Sequence, residues 1–127
     1  MQEIKDLIEK YSALLSLSKS ISLPEAERRA SEFLVAMAKI TDIRHMFSED
    51  KIKYTSVQTA VYAQELSKGT AKTMTENKVT AEASAEYLKA REDLERIEND
   101  IAYLRSYYDI FNNAHIFFRT MAKGEGL

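Results

Sequence analysis

The residues able to do chemistry in this chain are few: two histidines, no cysteine, and three glycines among 127 positions. Without Cys there is neither a thiolate nucleophile nor a disulfide, which is compatible with a reducing cytosol. Gly69, Gly124 and Gly126 cannot form a GxxxxGK phosphate loop, and no HExxH pairs two imidazoles on one helix. His45 follows Asp42 at i+3, which puts a carboxylate and an imidazole on one helical face. A metal needs more ligands than one such pair offers. His115 sits in an apolar seam, as a partly buried polar residue that fixes packing register or, more sharply, as a pH-sensitive contact. The sequence therefore predicts no catalytic residue, no metal, no cofactor and no enzyme activity.

Positive charge offers a second kind of chemistry. Residues 1–50 carry seven Lys/Arg against nine Asp/Glu, residues 51–79 five against two, residues 80–100 three against seven, and residues 101–127 three against two. A locally basic segment thus precedes an acidic one, although the net charge is only −2. Lys51, Lys53, Lys68, Lys72 and Lys78, with Tyr54 between them, have the residue types that single-strand binders use for phosphate contact and base stacking. The plainer reading of the same lysines is a set of solvated loop and helix faces. Glu92, Asp93, Glu95 and Glu98 read likewise as a solvated face, partly neutralised by Lys89, Arg91 and Arg96 at neighbouring turns.

Aromatic residues concentrate in DIAYLRSYYDIFNNAHIFFR, residues 100–119, which holds six of the twelve Tyr and Phe. Tyr87, Ala90, Leu94, Ile97, Ile101, Leu104, Tyr108, Phe111, His115 and Phe118 alternate spacings of three and four, a coiled-coil seam on one long helix. A second register runs beside it through Tyr103, Tyr107, Ile110, Ala114, Phe117 and Met121. Two adjacent seams are too wide for one partner helix, so this stretch reads as core and assembly surface rather than a platform for bases. Ser84 or Thr80 is the N-cap, and helix formers continue from 84 to about 122.

The rest of the chain must position that helix. Ile4, Leu7, Ile8, Tyr11, Leu14 and Leu15 predict a first helix over about 3–18, and SLSKSIS a turn. Ser22 and Glu25 have capping-box spacing with Pro24 inside the first turn, so a second helix should run from about 23 to 47. Its apolar positions are Ala26, Ala30, Phe33, Met37, Ile40 and Phe47, with Arg44 filling one slot. Ser48-Glu49-Asp50 reads as a restart. KIKYTSVQTAVYAQEL alternates passably as a strand, but Tyr54, Val57 and Val61 share a helical face and no partner strand is evident, so residues 50–67 are read as helix. Gly69 suits the position past a helix end, 69–74 a loop and 75–79 a short helical turn. The expectation is one all-α domain over residues 1–127, a bundle of about four helices with 84–122 as its central and oligomerisation helix. Such a helix would be almost 60 Å long, beyond the reach of the other helices, which points to a homo-oligomer. MQEIKDLIEKY has neither the apolar core of a signal peptide nor a membrane span, so a cytoplasmic protein without membrane contact is expected.

KTMTENKVTAEASAEYLKAREDLERIENDIAYLRSYYDIFNNAHIFFRTM resembles the C-terminal region of small phage proteins of the UvsY recombination-mediator type. The shared pattern is a Lys- and Thr-rich turn, a short helix, and a long capped helix with a Tyr near its start and an aromatic, basic end. It covers about 50 of the 127 residues. The resemblance implies an oligomeric, ring-forming helical protein that binds single-stranded DNA. Such a protein helps load a recombinase onto strands coated by a single-strand-binding protein. The family's basic helix and glycine-containing loop correspond here to AVYAQELSKGTAK, which keeps Gly69 but offers only Lys68 and Lys72, with Glu65 nearby. On this reading Lys68, Lys72 and Lys78 would carry DNA contact, supported by Lys51, Lys53 and Tyr54. Two other roles fit the residues. One is a small protein-binding adaptor or inhibitor acting through the aromatic or acidic helix face, and the other is a structural part in virion assembly.

Overall fold

The computed structural model describes residues 2–16 and 21–124, and among them every regular element is an α-helix. Helix α1 spans Gln2–Ser16, α2 Leu23–Ser67, α3 Met74–Glu82 and α4 Ala85–Ala122. The turn expected in SLSKSIS falls largely on residues 17–20, outside the described residues, as does the expected end of the first helix. Among the described residues no helix is long and apolar enough to cross a membrane.

The caps of α2 and α4 are where the sequence places them, whereas α3 begins inside the expected 69–74 loop and is longer than the expected turn at 75–79. Ser22 Oγ accepts from the Glu25 N–H at 3.3 Å and opens α2, with Pro24 in the first turn. Ser84, not Thr80, opens α4: its Oγ accepts from the Tyr87 N–H at 3.1 Å, while the Thr80 hydroxyl bonds back to the Glu76 carbonyl. Thr73 caps α3 by accepting from the Glu76 N–H at 3.2 Å.

The expected break at 48–50 is absent, and α2 is one helix of 45 residues. Ser48, Glu49 and Asp50 are cap-forming types, but no Gly or Pro stands near them to stop the helix. His45 Nε2 reaches Glu49 at 3.2 Å across the site of the expected restart. The hydroxyls among the residues that alternate like a strand bond back within the helix. Thr55, Ser56 and Thr59 donate to the carbonyls of Lys51, Ile52 and Thr55, four residues back, at 2.8, 3.1 and 3.0 Å. Helix α2 is therefore longer than α4, which has 38 residues, and α4 does not outrun every other helix as its length suggested.

Gly69 does follow a helix end, but the reason for glycine there is not a left-handed turn. A Cβ on Gly69 would lie 2.5 Å from Asn77 Oδ1. Asn77 needs that space because its side chain clamps Ala71, accepting from the Ala71 N–H at 2.9 Å and donating to the Ala71 carbonyl at 3.3 Å. The positive φ belongs to Gly124, at 69°, just past α4.

Two compact units form, one of Met1–Arg44 with Tyr103–Leu127 and the other of His45–Ala102. The first has an aromatic core. Phe33 of α2 meets Phe111 and Phe118 of α4 at ring-centroid distances of 5.5 and 5.8 Å, the second pair nearly parallel. Tyr11 of α1 closes on Phe33 and Phe111 at 5.6 and 5.8 Å. Ile4, Ile8, Ala26, Ala30, Ala36, Ile40, Leu104 and Ala114 are buried with them. The second unit buries Ala81, Ala90 and Ile97 among its described residues, and there Tyr62 of α2 meets Tyr87 of α4 at 5.6 Å.

Phe33→Ala should lower the unfolding free energy by about 3–5 kcal/mol, as expected for a large aromatic removed from a packed core. Ile52→Ala, at a side chain 68% exposed, should change it by less than about 0.5 kcal/mol. Urea denaturation followed by far-UV circular dichroism measures both.

Candidate functional site

The basic residues are not one patch. Lys51 and Lys53 lie two positions apart on α2, about 200° around the helix axis, and so face opposite sides. Tyr54 beside them and Val57 on the same expected face are both exposed. Lys68 follows the end of α2, about 25 Å along the axis from Lys51 at 1.5 Å per residue. Its Nζ is paired with Glu65 at 3.0 Å. Lys72 lies in the loop that Asn77 closes, and Lys78 is exposed on α3. The fold thus gathers Lys68, Lys72 and Lys78 on one short loop-and-helix segment and leaves Lys51 and Lys53 apart. Lys51, Lys53, Lys72 and Lys78 make no ion pair with another described residue.

The acidic stretch is partly self-neutralised. Lys89 pairs with Asp93 at 3.5 Å, Arg91 with Glu95 at 3.0 Å, and Arg96 with Glu92 and Asp93 at 3.7 and 3.6 Å. Among the described residues no group of three or more His, Cys, Asp or Glu could hold a metal ion. Asp42 and His45 are exposed, and His45 turns to Glu49.

The two registers of α4 have different fates. Along the first, Ala90, Ile97, Leu104, Phe111 and Phe118 are buried, alternating with half-buried Tyr87, Leu94, Ile101, Tyr108 and His115. Along the second, Tyr103, Ile110 and Phe117 remain 40, 44 and 40% exposed, with Tyr107 and Met121 half-buried and Ala114 buried. A ladder of rings joins the two: Phe111 touches Tyr107 at 5.9 Å and Tyr107 touches Tyr103 at 5.1 Å. Phe118 meets Phe117 edge-on at 5.2 Å. Burial pushes the Tyr103 phenol above its usual range, and Tyr107 beside it adds to the rise. The positions flanking the exposed register are Ser106, Asn113 and Thr120, all uncharged.

His115 ties two helices together. Its Nδ1 lies 2.7 Å from the Ala30 carbonyl oxygen. A carbonyl can only accept, so Nδ1 carries the proton. The bond fixes the register of α4 on α2 within the first unit, the role the seam position suggested. Arg44, in the apolar slot of α2, places its guanidinium 5.9 Å from the Tyr108 ring centre.

Arg29 is a structural residue that pattern reading passes over. It is 8% exposed and donates from Nη1 to the Leu14 carbonyl at 3.4 Å and from Nε to Glu25 at 3.3 Å. Its guanidinium also lies 5.6 Å from the Phe118 ring centre. One residue thus joins the last turns of α1 to α2 and α4. The signal was present: Arg29 stands four residues before Phe33 on the apolar face and four after Glu25. Arg28 grips Glu25 with two hydrogen bonds from the exposed side. Those bonds are the main reason the Glu25 carboxyl is held below the usual carboxylate range, and Glu25 in turn raises Arg28.

Several clefts remain among the described residues. One of about 260 Å³ is lined by Gln58, Thr59, Tyr62, Glu82 and Tyr87. A second, of about 360 Å³, has Glu27, Ser31 and Leu34 facing His115, Arg119 and Lys123. A third lies between the end of α2 and α3, around Gly69, Thr80 and Ala83. Comparison of the chain with protein-family models, curated proteins and solved structures finds no match.

Both Arg28 and Arg29 contact Glu25, but only one is buried. Arg29→Ala should cost about 2 kcal/mol of unfolding free energy, because it removes charge-assisted hydrogen bonds and packing. Arg28→Ala should cost under about 0.5 kcal/mol. Paired urea melts of the two variants test the distinction.

Proposed function

We propose that this chain is a non-enzymatic helical assembly protein that works as an oligomer of itself. The exposed second register of α4 carries this reading. Tyr103, Tyr107, Ile110, Ala114, Phe117 and Met121 keep the alternating spacing that another helix of the same pattern interleaves with. A second copy supplies such a helix by construction. The uncharged flank of Ser106, Asn113 and Thr120 suits the centre of a protein contact, where charged groups are depleted. Phe117→Glu should convert an oligomer at micromolar concentration into a monomer by light scattering, with its helical circular dichroism kept. A wild-type chain that is already monomeric under those conditions would overturn the proposal.

A second reading adds single-stranded DNA as a partner, in line with the UvsY-type resemblance and with a recombinase or single-strand-binding protein beyond it. It is favoured by one observation: Lys72 and Lys78 are exposed and without ion pairs to other described residues, next to Lys68. An oligomer would repeat this weakly basic segment around the assembly and multiply its attraction for phosphate. Affinity for a labelled single-stranded oligonucleotide should fall steeply with salt. Replacing Lys68, Lys72 and Lys78 with Glu should remove most binding at low salt. Replacing the three with Gln should flatten the salt dependence of log K by about 2 per decade. Absence of binding at low salt would sink the DNA reading and leave the assembly reading standing.

A further inference from the structure

The cleft between α2, α3 and the start of α4 in the second unit has a composition that neither reading uses. Its walls are two tyrosine rings. Tyr62 and Tyr87 lie 5.6 Å apart between centres, with their planes inclined by 57°. The pair is tilted rather than stacked. The Tyr87 end is held in place because its own N–H donates to the Ser84 cap. Gln58, one turn before Tyr62, and Glu82, the last residue of α3, complete the lining with Thr59. The Thr59 hydroxyl is committed to the Thr55 carbonyl at 3.0 Å. Besides the two phenol hydroxyls, the polar groups left to a ligand are the Gln58 amide and the Glu82 carboxylate. Neither is hydrogen-bonded or ion-paired to another described residue, and no basic side chain lines the cleft.

We propose that this cleft binds an organic cation, the guanidinium or alkylammonium end of a partner molecule. Each ring face presents negative quadrupole charge, and a cation within about 6 Å of a ring centre is drawn to it. With ring centres 5.6 Å apart, one cation beside the pair can lie within that range of both. Glu82 supplies the full opposite charge and, with the Gln58 oxygen, accepts N–H bonds. The alternatives fit the same walls less well. A phosphate would face a carboxylate with no cation lining the cleft to offset it. A purely apolar group would bury the Glu82 charge without a partner, which costs free energy. A nucleobase could lie on one ring, but 5.6 Å between tilted ring centres leaves no slot between them, and its phosphate would meet Glu82. Lys78, one turn earlier on α3, makes no ion pair with Glu82, so the carboxylate is not already spoken for.

Titration of the full chain, watched through the tyrosine ring signals by NMR, tests this with chosen probes: tetramethylammonium, N-acetyl-argininamide, 2,2-dimethylpropan-1-ol as a neutral analogue, and thymidine monophosphate. The expected result is saturable shifts of the Tyr62 and Tyr87 rings with one or both cations and not with the alcohol or the nucleotide. Which cation binds tells ammonium from guanidinium recognition. Tyr62→Leu should weaken cation binding roughly tenfold. Glu82→Gln, at an exposed helix end where the fold does not depend on it, should weaken it about three- to tenfold. Equal binding of the alcohol, binding of the nucleotide alone, unchanged cation affinity in the Glu82→Gln chain, or no shift with either cation would each overturn the proposal.

Discussion

Contact between Phe33 and the pair Phe111 and Phe118 is the constraint on which the first unit depends. It locks α2 to α4, and Tyr11 adds α1 to the same cluster. The three phenylalanines are fully buried, so the contact carries the apolar burial that offsets the entropy of ordering three helices. Everything polar nearby is arranged around it. Arg29 spans the edge of the cluster and reaches the Leu14 carbonyl, so a charge is tolerated in the core because its hydrogen bonds and the face of Phe118 receive it. His115 pins the same pair of helices through one carbonyl, which keeps the aromatic rings in register.

The same cluster also explains why α4 has apolar residues to spare. Its inner seam is occupied by the chain's own helices, and a ladder from Phe111 through Tyr107 to Tyr103 carries ring contact outward to the surface. Its second face keeps regular spacing and an uncharged flank at the surface, which is what the proposed assembly rests on. The second unit differs in kind. Its buried residues, among those described, are two alanines and one isoleucine, and the large rings, Tyr62 and Tyr87, stay half-exposed at a cleft instead of filling a core.

Helical class, the caps at Ser22 and Ser84, and the buried seam of α4 were all legible in the residues. Each depends on spacing of three and four or on a side chain reaching an N–H three residues away, and both are local properties. The continuity of α2 was not legible. Ser48-Glu49-Asp50 has the types of a helix start, yet a helix ends only if something competes with its hydrogen bonds, and His45, Glu49, Thr55 and Ser56 all bond along the helix instead. The candidate site was legible only as a list. Lysines at 51 and 53 are neighbours in sequence and face opposite sides of α2, whereas Lys68, Lys72 and Lys78 are gathered by a loop that closes on Asn77.

By itself the sequence determined the periodicity of the helices, the place of the glycines and the absence of cysteine chemistry, because these follow from residue identity and separation along the chain. Tertiary structure decided what each feature serves. Gly69 is glycine because Asn77 stands where a Cβ would be, a contact across eight residues that no local rule anticipates. Arg29 is core because Leu14 and Phe118 meet it, and Tyr62 faces Tyr87 because the chain returns through α3. Which of two equally regular registers on α4 is buried depends on where Phe33 and Tyr11 lie in space, and period alone is blind to that.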